Sequence, residues 1–341
     1  MTDIKNSRYS RQILFAPIGQ EGQKRLAESK VLIVGMGALG TVVANHMVRA
    51  GVGHVRFIDR DFVEASNLQR QMLFDEQDAR ESVPKAVAAE RKLKQINSEI
   101  EIEGLVGDLT PANIDEVAHD VQLILDGTDN FQTRFLMNDY AFKRGIPYFY
   151  GGIVAARGMQ ASFIPGRTPC LRCLITESSG GTETCDTSGV IAPVVDIVAS
   201  YEATEAIKYL VGKHEALRPT LLSFDIWQGS FHQIRFDRVK KDCPTCQLHQ
   251  YPALEIKDDQ FITSLCGRET IQISPAQKQS WDLKQWKKRL ERVGRVELTP
   301  FLLRAEVDDL RLVLFEDGRV MIQGTEDSTR AKAVYAKYIG M

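Results

Sequence analysis

The chain has 341 residues, of which 43% are apolar and 26% charged, with a formal net charge of −2. This length suits one large domain plus a small one, with enough apolar residues for a conventional core. The near-neutral balance excludes a bulk-charge case for nucleic acid or an anionic membrane, and no apolar run approaches the ~20 residues of a membrane span. The polar start, Met1 to Arg11, has no signal-peptide core, so a cytoplasmic protein is expected.

Residues 1–29 are polar and helix-prone. Val31 to Val34 is a short apolar run ending at Gly35, the pattern of a buried parallel strand entering a tight turn. Ala38 to Ala50 has helical periodicity and stops at Gly51. Val55 to Ile58 predicts a second strand, ending at Asp59. Residues 84–96 predict a helix with Pro84 at its start. Val121 to Leu125 reads as a strand ending at Asp126-Gly127, residues 131–144 as a helix, and Tyr148 to Tyr150 as the start of another strand. This alternation predicts an α/β fold with a doubly wound sheet. Thr176 to Gly189 has no apolar period and reads as a mobile loop. Residues 194–211 predict a helix, and Leu221 to Phe224 a strand.

Composition shifts after Cys246, which divides the chain into residues 1–250 and a small α+β module at 251–341. In that module Thr270 to Ile273 predicts a strand, residues 282–292 a basic amphipathic helix, and residues 326–338 a last helix. Asp317-Gly318 joins two alternating runs, a hairpin signal.

Gly35-x-Gly37-x-x-Gly40 follows a predicted strand and opens a predicted helix. Glycines there let backbone N–H groups approach phosphate oxygens, and the helix N-terminus adds positive potential. Asp59 ends the next strand, where a carboxylate accepts hydrogen bonds from ribose hydroxyls. This fingerprint signals a nucleotide without choosing between NAD and ATP. The plain alternative is a tight turn with a capping aspartate.

The run Ser66-Asn67-Leu68-Gln69-Arg70-Gln71 tips that choice. Arg8-Tyr9-Ser10-Arg11-Gln12, the glycine turn, Ser66 to Gln71, Lys85 and Thr128-Asp129-Asn130 together resemble the ThiF/MoeB/HesA family, relatives of the ubiquitin-activating enzymes. The resemblance runs over about residues 8–247. It implies an ATP-binding adenylation domain that activates the C-terminal glycine of a ubiquitin-like sulfur-carrier protein ending Gly-Gly. It implies nucleotide contacts from Gly35, Gly37, Ala38, Gly40, Asp59, Ser66, Asn67, Leu68, Gln69, Arg70, Lys85, Asp129 and Asn130. Asn67, Arg70 and Lys85 would meet the phosphates and Asp129 would hold Mg²⁺. Arg11 would reach the triphosphate from the other subunit of a homodimer. A sulfur donor of the cysteine desulfurase or rhodanese type is a further expected partner. Read alone, Arg70 and Lys85 are solvated cations, and Asp129-Asn130 is a helix cap.

These residue types suit the chemistry. A carboxylate nucleophile is already ionised at neutral pH (α-carboxyl pKa ~3.5), so no general base is needed. Its repulsion from the triphosphate must be screened, and arginine, lysine and Mg²⁺ do that. None of the six histidines is assigned a role.

Cys170-Leu171-Arg172-Cys173 and Cys243-Pro244-Thr245-Cys246 each place two thiolates on one ion, and together complete a tetrahedral Zn²⁺ site with no open position. A redox pair is the rival reading. Cys185, in the predicted loop, occupies by resemblance the position of the family's carrier-linking cysteine. The alternatives there and at Cys266 are spare thiols. Ala38, Ala192 and Asp196 depart from glycines common in the family. The stretches Cys266-Gly267-Arg268 and Asp317-Gly318-Arg319 resemble an added tail of some bacterial and archaeal members. The expected pathway is thiamine thiazole synthesis, with molybdenum cofactor synthesis as the alternative. A nicotinamide-dependent oxidoreductase and a non-catalytic nucleotide-binding scaffold are the readings from other classes.

Overall fold

The computed structural model describes residues 8–175, 188–256, 262–265, 269–274 and 279–340. The chain forms two compact units: Met1–Glu76 with Pro84–Ile256, and Gln77–Val83 with Lys257–Met341.

The first unit is built on an eight-stranded sheet. Its strands are β1 (Lys30–Val34), β2 (His54–Asp59), β3 (Glu101–Val106), β4 (Leu123–Asp126), β5 (Tyr148–Val154), β6 (Arg157–Phe163), β7 (Thr220–Asp225) and β8 (Ser230–Arg235), in the order β3-β2-β1-β4-β5-β6-β7-β8. The pairs from β3 to β5 are parallel, with Val31 opposite both Val55 and Leu123. The pairs from β5 to β8 are antiparallel. The α/β fold expected from the β/α alternation is present, and its sheet is mixed, parallel in one half and antiparallel in the other. Two of the antiparallel pairs, β5–β6 and β7–β8, arise from short connections, whereas β6 and β7 are joined through the long stretch that holds the Ala192–Leu210 helix. Ala155, at φ 56°, turns β5 into β6. The Asp225 carboxylate accepts from the Trp227 and Gln228 amides, and Gly229 at φ 67° completes the turn into β8.

Period-two side-chain direction puts helices on both faces. Leu32, Val34, Ile124, Tyr148 and Tyr150 pack with Phe135, Met137 and Tyr140 of the Phe131–Arg144 helix. On β5 the alternate residues look the other way: Phe149 meets Tyr209, and Gly151 lies against Leu39 and Glu202, from the Ala38–Ala50 and Ala192–Leu210 helices. Each of these fully buried Leu, Ile or Phe side chains stabilises the fold by ~1.5–3 kcal/mol. The Ala38–Ala50 helix ends at Gly51 in the left-handed region, φ 80°. A Cβ there would lie 2.5 Å from the Tyr9 ring, whose hydroxyl accepts from Asn97 Nδ2 at 2.8 Å. The Arg8–Gln12 motif is thus anchored to the body of the unit by its tyrosine.

The second unit is a six-stranded antiparallel sheet. Its strands are β9 (Ile262–Leu265), β10 (Thr270–Ile273), β11 (Arg295–Leu298), β12 (Leu302–Val307), β13 (Leu310–Phe315) and β14 (Val320–Gln323), in the order β11-β12-β13-β14-β10-β9. Helices Leu283–Leu290 and Ser328–Tyr338 cover one face, each opened by an aspartate cap, Asp282 and Asp327. Asp317-Gly318 forms the expected β13–β14 hairpin: Gly318 sits at φ 87° and Asp317 Oδ1 accepts from the Arg319 amide. The segment 77–83 joins this unit through Arg304 Nη2, which donates to Ser82 Oγ at 2.5 Å.

Candidate active site

The three glycines of the turn do different work. Gly35 sits at φ 92°, where a side chain is strained, and its Cβ would lie 2.6 Å from the Gly127 carbonyl oxygen. At Gly40 a Cβ would lie 1.9 Å from the Gly35 carbonyl oxygen, so this glycine lets the helix seat on the turn. At Gly37 the nearest atoms would be 3.9 Å away, and its backbone is extended, φ −79° and ψ −151°. Its missing side chain therefore leaves open space beside the first N–H groups of the Ala38–Ala50 helix, which begins with Ala38 and has no side-chain cap. That geometry can receive an anion. The turn lies where β1 leads to a helix on one face and neighbouring β4 to a helix on the other, the crevice in which open α/β sheets bind ligands.

Asp59, at the end of β2, accepts from the Met36 amide at 2.6 Å and the Asp61 amide at 2.7 Å, tying itself to the glycine turn. Burial pushes its carboxyl pKa up; Lys85 opposes the rise and Asp61 adds to it. Lys85 is 2% exposed and its Nζ lies 3.2 Å from Asp61 Oδ2. Beside them Arg60 pairs with Asp108 at 2.8 Å. Asp61 and Asp108 were absent from the sequence-derived site. The carboxylate-rich run Asp59-Arg60-Asp61 was the available signal, but only the fold shows that Asp61 orients Lys85.

In the polar run, Asn67 is 4% exposed and accepts from the Glu64 amide, closing a capping box, while Ser66 and Gln69 are exposed and Leu68 is half-buried. Arg70 donates to the Ser66 carbonyl at 3.0 Å. Gln71, outside the expected contact set, is 3% exposed; its Oε1 has no hydrogen-bond partner among the described residues, and its Nε2, like the Gly127 carbonyl oxygen, lies 3.9 Å from where a Gly37 Cβ would stand. A buried amide with a free oxygen beside a glycine cradle fits a polar ligand, because an unsatisfied buried acceptor otherwise costs ~1–3 kcal/mol.

Asp129 is exposed in the loop after β4, and Asn130 caps the Phe131–Arg144 helix by accepting from the Gln132 and Thr133 amides. So Asp129 has the freedom of a ligand and Asn130 does a cap's work. Arg11 stands exposed on the Ser10–Ile13 helix, and among the described residues it makes no hydrogen bond or ion pair to this cluster. Cys185 and Cys266 lie outside the described residues, as does all but the end of the predicted loop. Ala192 opens the Ala192–Leu210 helix, and Asp196 in its second turn acts electrostatically on His46.

A buried polar network underlies the loop after β4. Asp126 accepts from Arg134 Nε at 2.9 Å and Tyr148 OH at 2.8 Å, and Glu202 Oε1 accepts from the Asp126 amide at 2.8 Å. Arg134 also donates to the Thr128 and Gly151 carbonyls, so the Thr128-Asp129-Asn130 loop is held from beneath.

The two Cys-x-x-Cys pairs converge. The Sγ atoms of Cys170, Cys173, Cys243 and Cys246 all lie within 4.8 Å of one another, with 3.5 Å between Cys170 and Cys243 and 3.4 Å between Cys173 and Cys246. A tetrahedron with Zn–S of ~2.3 Å has S···S edges of about 3.8 Å, so the donor set fits Zn²⁺. Burial and the neighbouring sulfurs push the Cys170 thiol pKa up, which a bound cation would reverse. The convergence of two pairs disfavours the single-pair redox reading.

The ThiF family profile matches residues 9–245. The sulfur carrier protein ThiS adenylyltransferase of Bacillus subtilis (strain 168) is 46% identical over 335 residues, 98% of this chain and 99% of that protein. The SAMP-activating enzyme E1 of Haloferax volcanii is 36% identical over 241 residues, 70% of this chain and 88% of that one. The adenylyltransferase and sulfurtransferase MOCS3 of Bos taurus is 33% identical and covers 76% of this chain, which spans 56% of that protein. Among solved structures, E. coli MccB with ATP superposes with a TM-score of 0.62 over 72% of this chain and 76% of that one, at 23% identity, which speaks for the fold alone. A family match across most of the chain, together with a relative of nearly half identity over its full length, establishes that this chain belongs to the ThiF family.

Proposed function

We propose that the chain adenylates the C-terminal glycine carboxylate of a small ubiquitin-like sulfur-carrier protein, releasing pyrophosphate, for sulfur transfer in thiamine thiazole biosynthesis. One observation carries the pathway. The match to the ThiS adenylyltransferase covers 98% of this chain and so includes the second unit, whereas the matches to the SAMP-activating enzyme and to MOCS3 cover 70% and 76%. Residues 1–250 would form the adenylation domain and 251–341 the accessory module.

The residues divide the work as follows. The Gly35–Gly40 turn and the N–H groups from Ala38 onward receive phosphate oxygens, with Gln71 closing the cradle. Asp59 accepts from the ribose. Asn67, Arg70 and Lys85 neutralise the triphosphate; Asp61 holds one of the three Lys85 donors and so aims the rest. Asp129 would hold Mg²⁺, which would supply positive charge against the phosphates. The carrier carboxylate attacks the α-phosphorus and pyrophosphate departs, with no proton to remove. Arg11 would act across a homodimer, and Cys185 after adenylation, with a desulfurase- or rhodanese-type donor supplying sulfur. Zn²⁺ on the four cysteines would clamp the fold. The nicotinamide reading accounts for the glycine turn but for neither Lys85 nor the four sulfurs.

Supplying ATP with a thiamine-type carrier or with the small subunit of molybdopterin synthase, and measuring carrier-dependent pyrophosphate exchange, tests this reading. Higher kcat/KM with the thiamine-type carrier is expected; preference for the other moves the chain to molybdenum cofactor synthesis.

A further inference from the structure

Asp139 lies on the Phe131–Arg144 helix and is 0% exposed. Burying a carboxylate costs several kcal/mol unless it is paired and hydrogen-bonded, so its partners identify its work. Arg172, an inner residue of the first Cys-x-x-Cys turn, donates to it through Nε and Nη2, both at 2.9 Å. Thr245, an inner residue of the second turn and itself 0% exposed, donates through Oγ1 at 2.6 Å. The Ala253 amide, just beyond the second turn, adds a donor at 2.9 Å. Neighbouring Asn138, also 0% exposed, accepts from the Leu171 amide inside the first turn at 2.8 Å.

We propose that Asp139 is the positioning residue of the four-cysteine site, a single buried carboxylate that hangs both turns from one helix and aims their sulfurs at the metal before the metal arrives. The two turns are 73 residues apart in sequence, so nothing local sets their mutual register. An apolar contact would hold them near each other but would not fix their direction. Two charge-assisted bonds from a planar guanidinium and one from a hydroxyl do fix it. Four ionised sulfurs in this space repel one another, and the bonds to Asp139 oppose the separation that repulsion favours. The inference rests on the zinc reading of the four cysteines and adds to it the residue that preorganises the site.

The test uses the full chain, stripped of metal with a chelator. Zn²⁺ affinity is measured by competition with a chromogenic chelator, and Tm is measured with and without Zn²⁺. Thr245→Val, close to Thr in size, removes one hydrogen bond and keeps the Asp139–Arg172 pair. It is expected to weaken Zn²⁺ binding about ten- to a hundredfold, and Thr245→Ser to restore it. Asp139→Asn should weaken it further and broaden the visible spectrum of the Co²⁺-substituted protein. If Asp139→Asn does not fold, Thr245→Val decides alone. Zinc affinity unchanged in Thr245→Val, with Tm lowered equally in metal-free and zinc-loaded protein, would make Asp139 a general fold clamp and overturn the inference. A parent chain that binds no Zn²⁺ overturns the zinc reading and this inference with it.

Discussion

Gly37 and Gly40 are three residues apart in one motif, yet the structure assigns them opposite responses to alanine. At Gly40 the new Cβ would overlap the Gly35 carbonyl oxygen at 1.9 Å, an atom of backbone that cannot rotate away. The helix must lift from the turn, costing about 3 kcal/mol, the upper end for overpacking, or roughly 6–12 °C in Tm. At Gly37 the Cβ meets nothing closer than 3.9 Å and the backbone is already extended. Alanine there lowers the entropy of the unfolded chain and is a poorer helix cap than glycine. These effects oppose each other, and stability should stay within about 1 kcal/mol of the parent. Its methyl group would instead occupy the space through which a phosphate is proposed to reach the backbone. Losing one charge-assisted bond costs ~1.5–3 kcal/mol, or about 10- to 150-fold in KM for ATP. Thermal melting of the free protein and ATP-dependent pyrophosphate exchange separate the two effects. A Gly37→Ala chain with parental Tm and parental KM for ATP would refute the phosphate cradle.

Arg70→Ala should lower exchange by about 10²–10³-fold with little change in Tm. Lys85→Ala should lower both exchange and Tm, because it strips a buried partner from Asp61; parental exchange in both variants would remove the phosphate assignment. Mixing Arg11→Ala with Arg70→Ala chains should recover part of the activity if Arg11 serves the neighbouring subunit, and no recovery after verified subunit exchange counts against a shared site. Cys185→Ser should keep pyrophosphate exchange while losing any thiol-sensitive adduct with the carrier on non-reducing gels; an adduct that persists hands the role to another thiol, Cys266 first. Glu202 is fully buried, and burial, reinforced by Asp126 and opposed by Arg134, pushes its carboxyl pKa well above the usual range. Its stabilising contribution is therefore complete below the unfolded pKa of ~4.3 and is lost as pH rises towards the native pKa, by about 1.4 kcal/mol per unit. Glu202→Gln keeps the acceptor for the Asp126 amide and should gain stability over the parent as pH rises; parallel urea-midpoint curves against pH would contradict this.

Much of the parallel half of the sheet was legible. β1 and β4 carry continuous apolar runs because both of their faces are covered, while β2 keeps Val55, Phe57 and Ile58 around Arg56, which pairs with Glu103 and Asp120. β3, with Glu101 and Glu103, and β8, almost wholly exposed, gave no such run, since edge strands need not be apolar. β6 was unread for a different reason. It is mostly buried, but Gly158, Gln160 and Ser162 break the pattern, and Gly158 is required because a Cβ would meet the Phe224 ring at 2.4 Å. The glycine turn, Asp59 and the cysteine pairs stood out because their spacing is local or their chemistry is rare, whereas Lys85 entered only through the family resemblance. Asp61, Gln71 and Asp139 were not. Their importance depends on where a side chain points and on partners that only the folded chain brings near, such as Thr245, 106 residues from Asp139.

The central claim is that the chain joins AMP to a carrier carboxylate. It is tested most directly by incubating the chain with ATP, Mg²⁺, labelled pyrophosphate and a Gly-Gly-terminated carrier, beside the same carrier lacking its last glycine. Rapid label exchange into ATP with the intact carrier, and none with the truncated one, is the expected result. Exchange that ignores the carrier terminus, or no exchange while NAD but not ATP raises the Tm, would contradict it.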